Sequence, residues 1–295
     1  MRPRRGPAAV RAPRRLPPAR FPLVGPGLRG LLPGVLLAAL LVPPGGAEAR
    51  SRGGDGRYDQ RRSRHFVLYQ DVDLGRRGRS RASGFEREIL AVLEAAFDRT
   101  ERSLGLRPLR PIRVVVHDPA EFERRFAGLF PFPAAGFYQG TIHVRGAPAV
   151  DGALASVLHH EYIHAAFGAV APGLVLPGWL SEGLAEWMGA RARGWRTLQA
   201  GEFEALRRAA AAGELPDLVE LSAPAFGGLP ADRAGLAYLV SYALVQNLAH
   251  NHGVRRLRTF VAALLRSGDP DRALRRTYGW GAEDLERSFR SRLLH

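Results

Sequence analysis

Cysteine is absent from this 295-residue chain. That excludes disulfides, thiolate metal sites, a cysteine nucleophile and a lipid-modified N-terminal Cys, so any metal has to be held by His and carboxylates. Lysine is absent too, and all 43 basic residues are Arg. Beside abundant Ala, Gly and Pro, that skew reflects base composition rather than a designed basic surface. Acidic residues are scarce in one part only. Residues 1–81 carry 18 Arg against 5 acids, a net of +13, whereas residues 82–295 carry 25 Arg against 23 acids, a net of +2. A nucleic-acid groove needs its charge on the folded domain, with aromatics interleaved, so the near-neutral main part argues against a nucleic-acid partner. The basic stretch reads as a tail. Disorder throughout is excluded by the 46% hydrophobic content, which supports a core of ordinary size in one or two domains.

Long apolar runs are also missing. The longest clear one, Leu31 to Val42 (LLPGVLLAALLV), contains Pro33 and follows Arg29, and it falls short of the roughly 20 residues a membrane span requires. A basic leader, this run and the small residues around Ala47-Glu48-Ala49 make up the three parts of a secretory signal peptide. Residues 1–49 are therefore expected to be a signal cleaved after Ala49 from a periplasmic or extracellular protein. The alternative is an anchor formed by residues 31–42. Residues 50–63, including Gly53 to Arg62 (GGDGRYDQRR), read as an exposed basic linker, and residues 64–295 as the functional domain.

Within that domain, His65 to Leu74 and Ile112 to His117 are rich in β-formers and read as strands. Phe137 to Val144 reads as a third, with Gly140 marking a bulge or turn. Phe85 to Leu104 has the apolar spacing of an amphipathic helix, and a short helix is expected near Ala120 to Phe126. After Asp151 only helices are expected. The fold class is α+β, with a small N-terminal mixed sheet and helices followed by a mainly helical C-terminal half.

The chemistry concentrates in His160-Glu161-Tyr162-Ile163-His164 on a helix expected from Ala153 to Gly168. Residues four apart share a helical face, so His160 and His164 can reach one ion. Glu161 is placed to take a proton from a water rather than to bind the metal. A four-coordinate zinc that keeps a water needs a third protein ligand. Trp179 to Met188 (WLSEGLAEWM) starts a second helix, in which Glu182 follows His164 after 17 intervening residues. That gap allows an antiparallel return through Pro172, Gly173, Pro177 and Gly178, with Glu182 facing both histidines. Glu186, one turn on, suits the other ring N–H of a ligand histidine.

HEYIH followed by WLSEGLAEW resembles the gluzincin metallopeptidases, the group that includes thermolysin and the zinc aminopeptidases. In size and layout the chain is most similar to the bacterial peptidase MA-like domain. The resemblance implies a thermolysin-like catalytic domain holding one Zn2+ through His160, His164 and Glu182, with Glu161 as general base. It also implies a role beside the site for Glu186, and a peptide or protein substrate. Within the expected buried helix Ala231 to His250, the segment from Tyr238 resembles the one in which the aminopeptidases carry an oxyanion-stabilising Tyr. That maps Tyr238 to the role, with Tyr242 in reserve. Where the aminopeptidases have G-A-M-E-N, Ala135 to Gly140 (AGFYQG) offers no carboxylate, so the resemblance implies endopeptidase action with the peptide laid along an edge strand. A non-catalytic metal-binding scaffold and a zinc hydrolase of a non-peptide substrate are the competing readings. His117, His143, His159, His250, His252 and His295 are expected to be structural or surface residues.

Overall fold

The computed structural model describes residues 58–72, 74, 78–129 and 134–294. The expected signal peptide and apolar run, the linker as far as residue 57, and His295 lie outside the described residues. Among those residues five strands form one mixed sheet, and nine α-helices make up most of the rest. The class is α+β, with all strands preceding Asp151.

The sheet order is β1-β2-β3-β5-β4, from β1 (Asp59–Arg62), β2 (Phe66–Gln70), β3 (Ile112–His117), β4 (Gly136–Tyr138) and β5 (Ile142–Arg145). β2, β3 and β5 run parallel, and each edge strand is antiparallel to its neighbour. The return from β2 to β3 passes through α1 (Gly78–Leu104), because parallel neighbours need a long crossover. Alternation along β2 sends Phe66 and Leu68 inward, where the core includes Val114, Val116, Ile142 and Val144 from the neighbouring strands and Ile89 and Leu93 from α1. Tyr162 joins this core from the first long helix after the sheet, its ring 5.4 Å from that of Phe66.

Two departures from the sequence reading have clear causes. β1 lies inside the stretch read as exposed linker. Its DQRR sequence supplies no apolar face, but Arg61 donates from Nη1 to Ser83 Oγ (2.8 Å) and pairs with Glu86 (3.1 Å), which ties the strand to α1. A charged edge strand is also a common guard against edge-to-edge pairing. The single strand expected over Phe137 to Val144 is two, β4 and β5. Gly140, at φ +75°, forms the turn between them, a conformation open to glycine and strained for other residues.

The other helices are α2 (Pro119–Phe126), α3 (Gly152–Val170), α4 (Gly178–Ala192), α5 (Ala200–Ala211), α6 (Ala231–His252), α7 (Val254–Ser267), α8 (Pro270–Tyr278) and α9 (Ala282–Leu294). Asp151 caps α3, accepting from Leu154 N–H at 2.8 Å; such a cap contributes about 1 kcal/mol. α3, α4 and α6 form the centre of the helical half, with α4 packed against both others. Among the described residues no helix is long and apolar enough to cross a membrane.

Candidate metal centre

α3 and α4 are buried on nearly all sides, so a polar residue on either has to meet another polar group or an ion. Small residues set how close the helices come. A Cβ on Gly183 would sit 2.4 Å from Ser241 O of α6, and one on Gly189 would sit 2.9 Å from Ser156 Oγ of α3. Both glycines lie on α4, one toward each neighbour, and the resulting close approach brings Glu182 within reach of the α3 histidines.

There the two histidines four residues apart turn their Nε2 atoms to within 3.1 Å of each other. Glu182 Oε2 lies 3.3 Å from His160 Nε2 and 3.5 Å from His164 Nε2. Two nitrogens and one oxygen thus form a buried triangle. Tetrahedral ligands 2.0–2.1 Å from a zinc ion stand about 3.4 Å apart, which is the size of this triangle. Neither Glu182 oxygen makes a hydrogen bond, and the same is true of both oxygens of the buried Glu161. Buried carboxylate oxygens without hydrogen bonds are costly, and a cation beside Glu182 and Glu161 would lower that cost. The N2O donor set and its spacing therefore fit a divalent ion, and among the described residues this is the one His/Asp/Glu group clustered closely enough to hold one.

Electrostatics within the triangle run the same way. Burial raises the Glu182 pKa, but the adjacent His164 and His160 outweigh it and hold the carboxyl below its usual range. Burial opposes charge on His160, yet the carboxylates of Glu182 and Glu186 push its pKa up. Glu161 is raised to about 8 by burial, opposed by His160 and reinforced by Glu182 and Glu186.

The remaining expected residues fall into place around it. Glu186 Oε1 lies 3.3 Å from His160 Nδ1, the nitrogen turned away from the triangle. Tyr238 is buried with its hydroxyl unpartnered, and after burial the charges that act on it are those of Glu182, Glu186 and Glu161. Tyr242 instead feels Glu202, Glu186 and Arg191, so of the two tyrosines Tyr238 alone feels the charges of Glu182 and Glu161. β4 comes up against Glu161, since a Cβ on Gly136 would stand 3.1 Å from Glu161 Cγ.

Sequence reasoning missed Ser181. Its Oγ is 3.3 Å from His164 Nδ1; with Nε2 presenting its lone pair to the triangle, Nδ1–H donates and the hydroxyl accepts. Its position next to Glu182 was the available signal, but a serine in that place carries no spacing rule. His117 and His143 are structural, as expected: they hydrogen-bond each other, Nε2 to Nδ1, at 2.9 Å on the sheet face beneath α2. Trp179 and Trp187 are core residues. His159 is buried and is not among the ligands. His250 is exposed, and the ring of His252 lies tilted against those of Tyr278 and Trp280.

No family model, curated protein or solved structure matches this chain.

Proposed function

We propose that the chain is a zinc-dependent peptidase of gluzincin type, an exported protein whose residues 1–49 are its signal. The observation that carries this reading is the buried triangle of His160, His164 and Glu182 beside a buried, unpartnered Glu161 carboxylate. A scaffold that only stores a metal has no use for that fourth group.

Zinc held by the triangle supplies a Lewis acid that polarises a carbonyl and lowers the pKa of a water. The rest is done by side chains. Glu161, one residue from a ligand and free of hydrogen bonds, takes a proton from the attacking water and delivers it to the leaving amine nitrogen. Glu186 and Ser181 hold the outer nitrogens of His160 and His164, so that both rings keep Nε2 for the metal. Tyr238 donates its phenol hydrogen to the negative charge developing on the carbonyl oxygen. Peptide rather than another acyl compound is favoured by β4. It is an edge of the sheet, it abuts Glu161 through Gly136, and an extended chain can add to such an edge through backbone hydrogen bonds. The site offers no carboxylate on that strand for a substrate amino terminus, which favours internal cleavage.

The test is digestion of a diverse synthetic peptide mixture by the zinc-loaded full chain, read by mass spectrometry, with Glu161→Gln alongside. Internal cuts by the parent and none by the variant are expected. Equal cutting by both, or by neither with zinc bound, would overturn the reading.

A further inference from the structure

α5, α6 and α9 pack together around a cleft of about 300 Å³, at the lower end of the range for small-molecule sites. None of the residues lining it is one of those placed around the metal triangle. Its apolar wall is made by Leu198, just before α5, and by Phe289 and Leu293 of α9. Phe203 of α5 belongs to the same wall, and 42% of its surface is left uncovered.

Two polar side chains set what can fill this space. Gln246 of α6 is only 8% exposed, and its Nε2 donates to Arg196 O at 2.8 Å. A carbonyl only accepts, so the amide nitrogen has to take that place and the amide oxygen is turned the other way. That oxygen makes no hydrogen bond with the described residues, yet it is not among the atoms sealed from solvent, so its opening is onto the cleft. Arg292 of α9 lines the cleft as well and takes part in no ion pair among the described residues. One turn back from it stand Ser288 and Phe289, and no acidic side chain lines the cleft. Asn247 and Asn251, hydrogen-bonded to each other at 3.0 Å, add two further carboxamides.

We propose that this cleft binds a small N-acylated amino acid with an apolar side chain and a free carboxylate. The side chain lies on Leu198, Phe203, Phe289 and Leu293, the amide N–H donates to Gln246 Oε1, and the carboxylate accepts from the guanidinium of Arg292. A simple fatty acid would leave the Gln246 oxygen unanswered. A free amino acid would bring an ammonium group into a cleft whose one fixed charge is already positive. The volume takes one residue with its acyl cap, and no folded partner could enter it. The site is independent of peptide cleavage.

The experiment uses the zinc-loaded full chain carrying Glu161→Gln, so that the probe is not turned over and the outcome does not depend on the peptidase reading. N-acetylleucine is titrated by calorimetry beside N-acetylleucinamide, which lacks the carboxylate, and 4-methylpentanoate, which lacks the amide. Saturable binding of N-acetylleucine is expected, with the carboxamide about tenfold or more weaker and 4-methylpentanoate about fivefold weaker. Arg292→Gln should then bind N-acetylleucine and its carboxamide alike, and Gln246→Leu should bind N-acetylleucine and 4-methylpentanoate alike. A merely structural role for either residue would weaken all three probes together. Arg292 is exposed, so its variant decides the matter even where Gln246→Leu fails to fold. Arg207→Gln, exposed on α5 and outside the cleft, should leave every affinity unchanged. The proposal is overturned if N-acetylleucine does not saturate, if it binds no better than its two relatives, or if Arg292→Gln keeps the parent's preference for the carboxylate. Binding that survives both variants and disappears on chelation of zinc would put the carboxylate on the metal triangle, and overturns it equally.

Discussion

Glu186 lies against Nδ1 of His160 and Ser181 against Nδ1 of His164, so each sets the orientation of one imidazole. Removing such a partner costs about 10–100-fold in metal affinity. Ser181→Ala is therefore expected to weaken zinc binding by that amount, measured by competition with a chelating dye, while the fold survives. Glu161→Gln should behave in the opposite way. Zinc affinity stays within a few-fold of the parent and turnover falls about 10²–10⁴-fold. The two variants together separate holding the ion from using it, because Glu161 is buried beside the triangle and is not one of its corners.

At the scale of elements, α4 determines whether a site exists. Gly183 and Gly189 leave room for α6 and α3, and a branched side chain at either position meets backbone or a neighbouring helix at under 3 Å. Gly183→Val is expected to cost about 1–3 kcal/mol in stability and to lower zinc affinity as Glu182 moves off the triangle. Urea unfolding and metal titration on the same variant check both effects. The hydrogen-bonded His117 and His143 on the other sheet face give an acid response. Burial, joined for His117 by the nearby charges of His143 and Arg125 and for His143 by that of Arg125, depresses their pKa values to about 3 and about 4. An unfolded histidine titrates near 6.5. Between pH 6.5 and about 4 the unfolded chain therefore binds protons that the folded one refuses, so stability falls as pH falls. The slope is at most about 1.4 kcal/mol per pH unit for each histidine. Urea midpoints measured from pH 7 to pH 4.5 should drop, and His143→Gln should flatten the drop.

The same scale shows what the sequence makes legible. His160, His164 and Glu182 can be read because a helix fixes the i, i+4 relation, and a 17-residue gap suits a helical return. α6 can be read as buried because its apolar residues go all round. β1 cannot, since nothing in DQRR foretells that Arg61 will find Ser83 and Glu86 on a helix two elements later. Nor can Ser181, whose role exists only once α3 and α4 are side by side, or the separation of Tyr238 from Tyr242, which depends on how α6 is rotated against α4. α1 begins at Gly78, earlier than Phe85, because its first turns have no apolar stripe to announce them.

For the whole molecule, a zinc ion held as proposed would link metal binding to folding. A ligand that binds only the folded state stabilises it by RT ln(1 + [L]/Kd), about 4 kcal/mol at a thousandfold excess over Kd. Chelation should therefore lower Tm by several degrees, and zinc should restore it. Glu182→Ala should melt at one temperature with or without the metal. Calorimetry on both proteins measures this directly, and equal Tm shifts in the two would remove Glu182 from the ligand set.

The three side chains of the triangle come from a single helical hairpin, α3 and α4, running from Gly152 to Ala192 with one short loop between. The sheet, by contrast, waits on the long crossover through α1. Contacts close in sequence form early because little chain entropy is lost in closing them. The hairpin can thus bring His160, His164 and Glu182 together while the strands are still unpaired, so an ion held as proposed would clasp two helices before the sheet has closed.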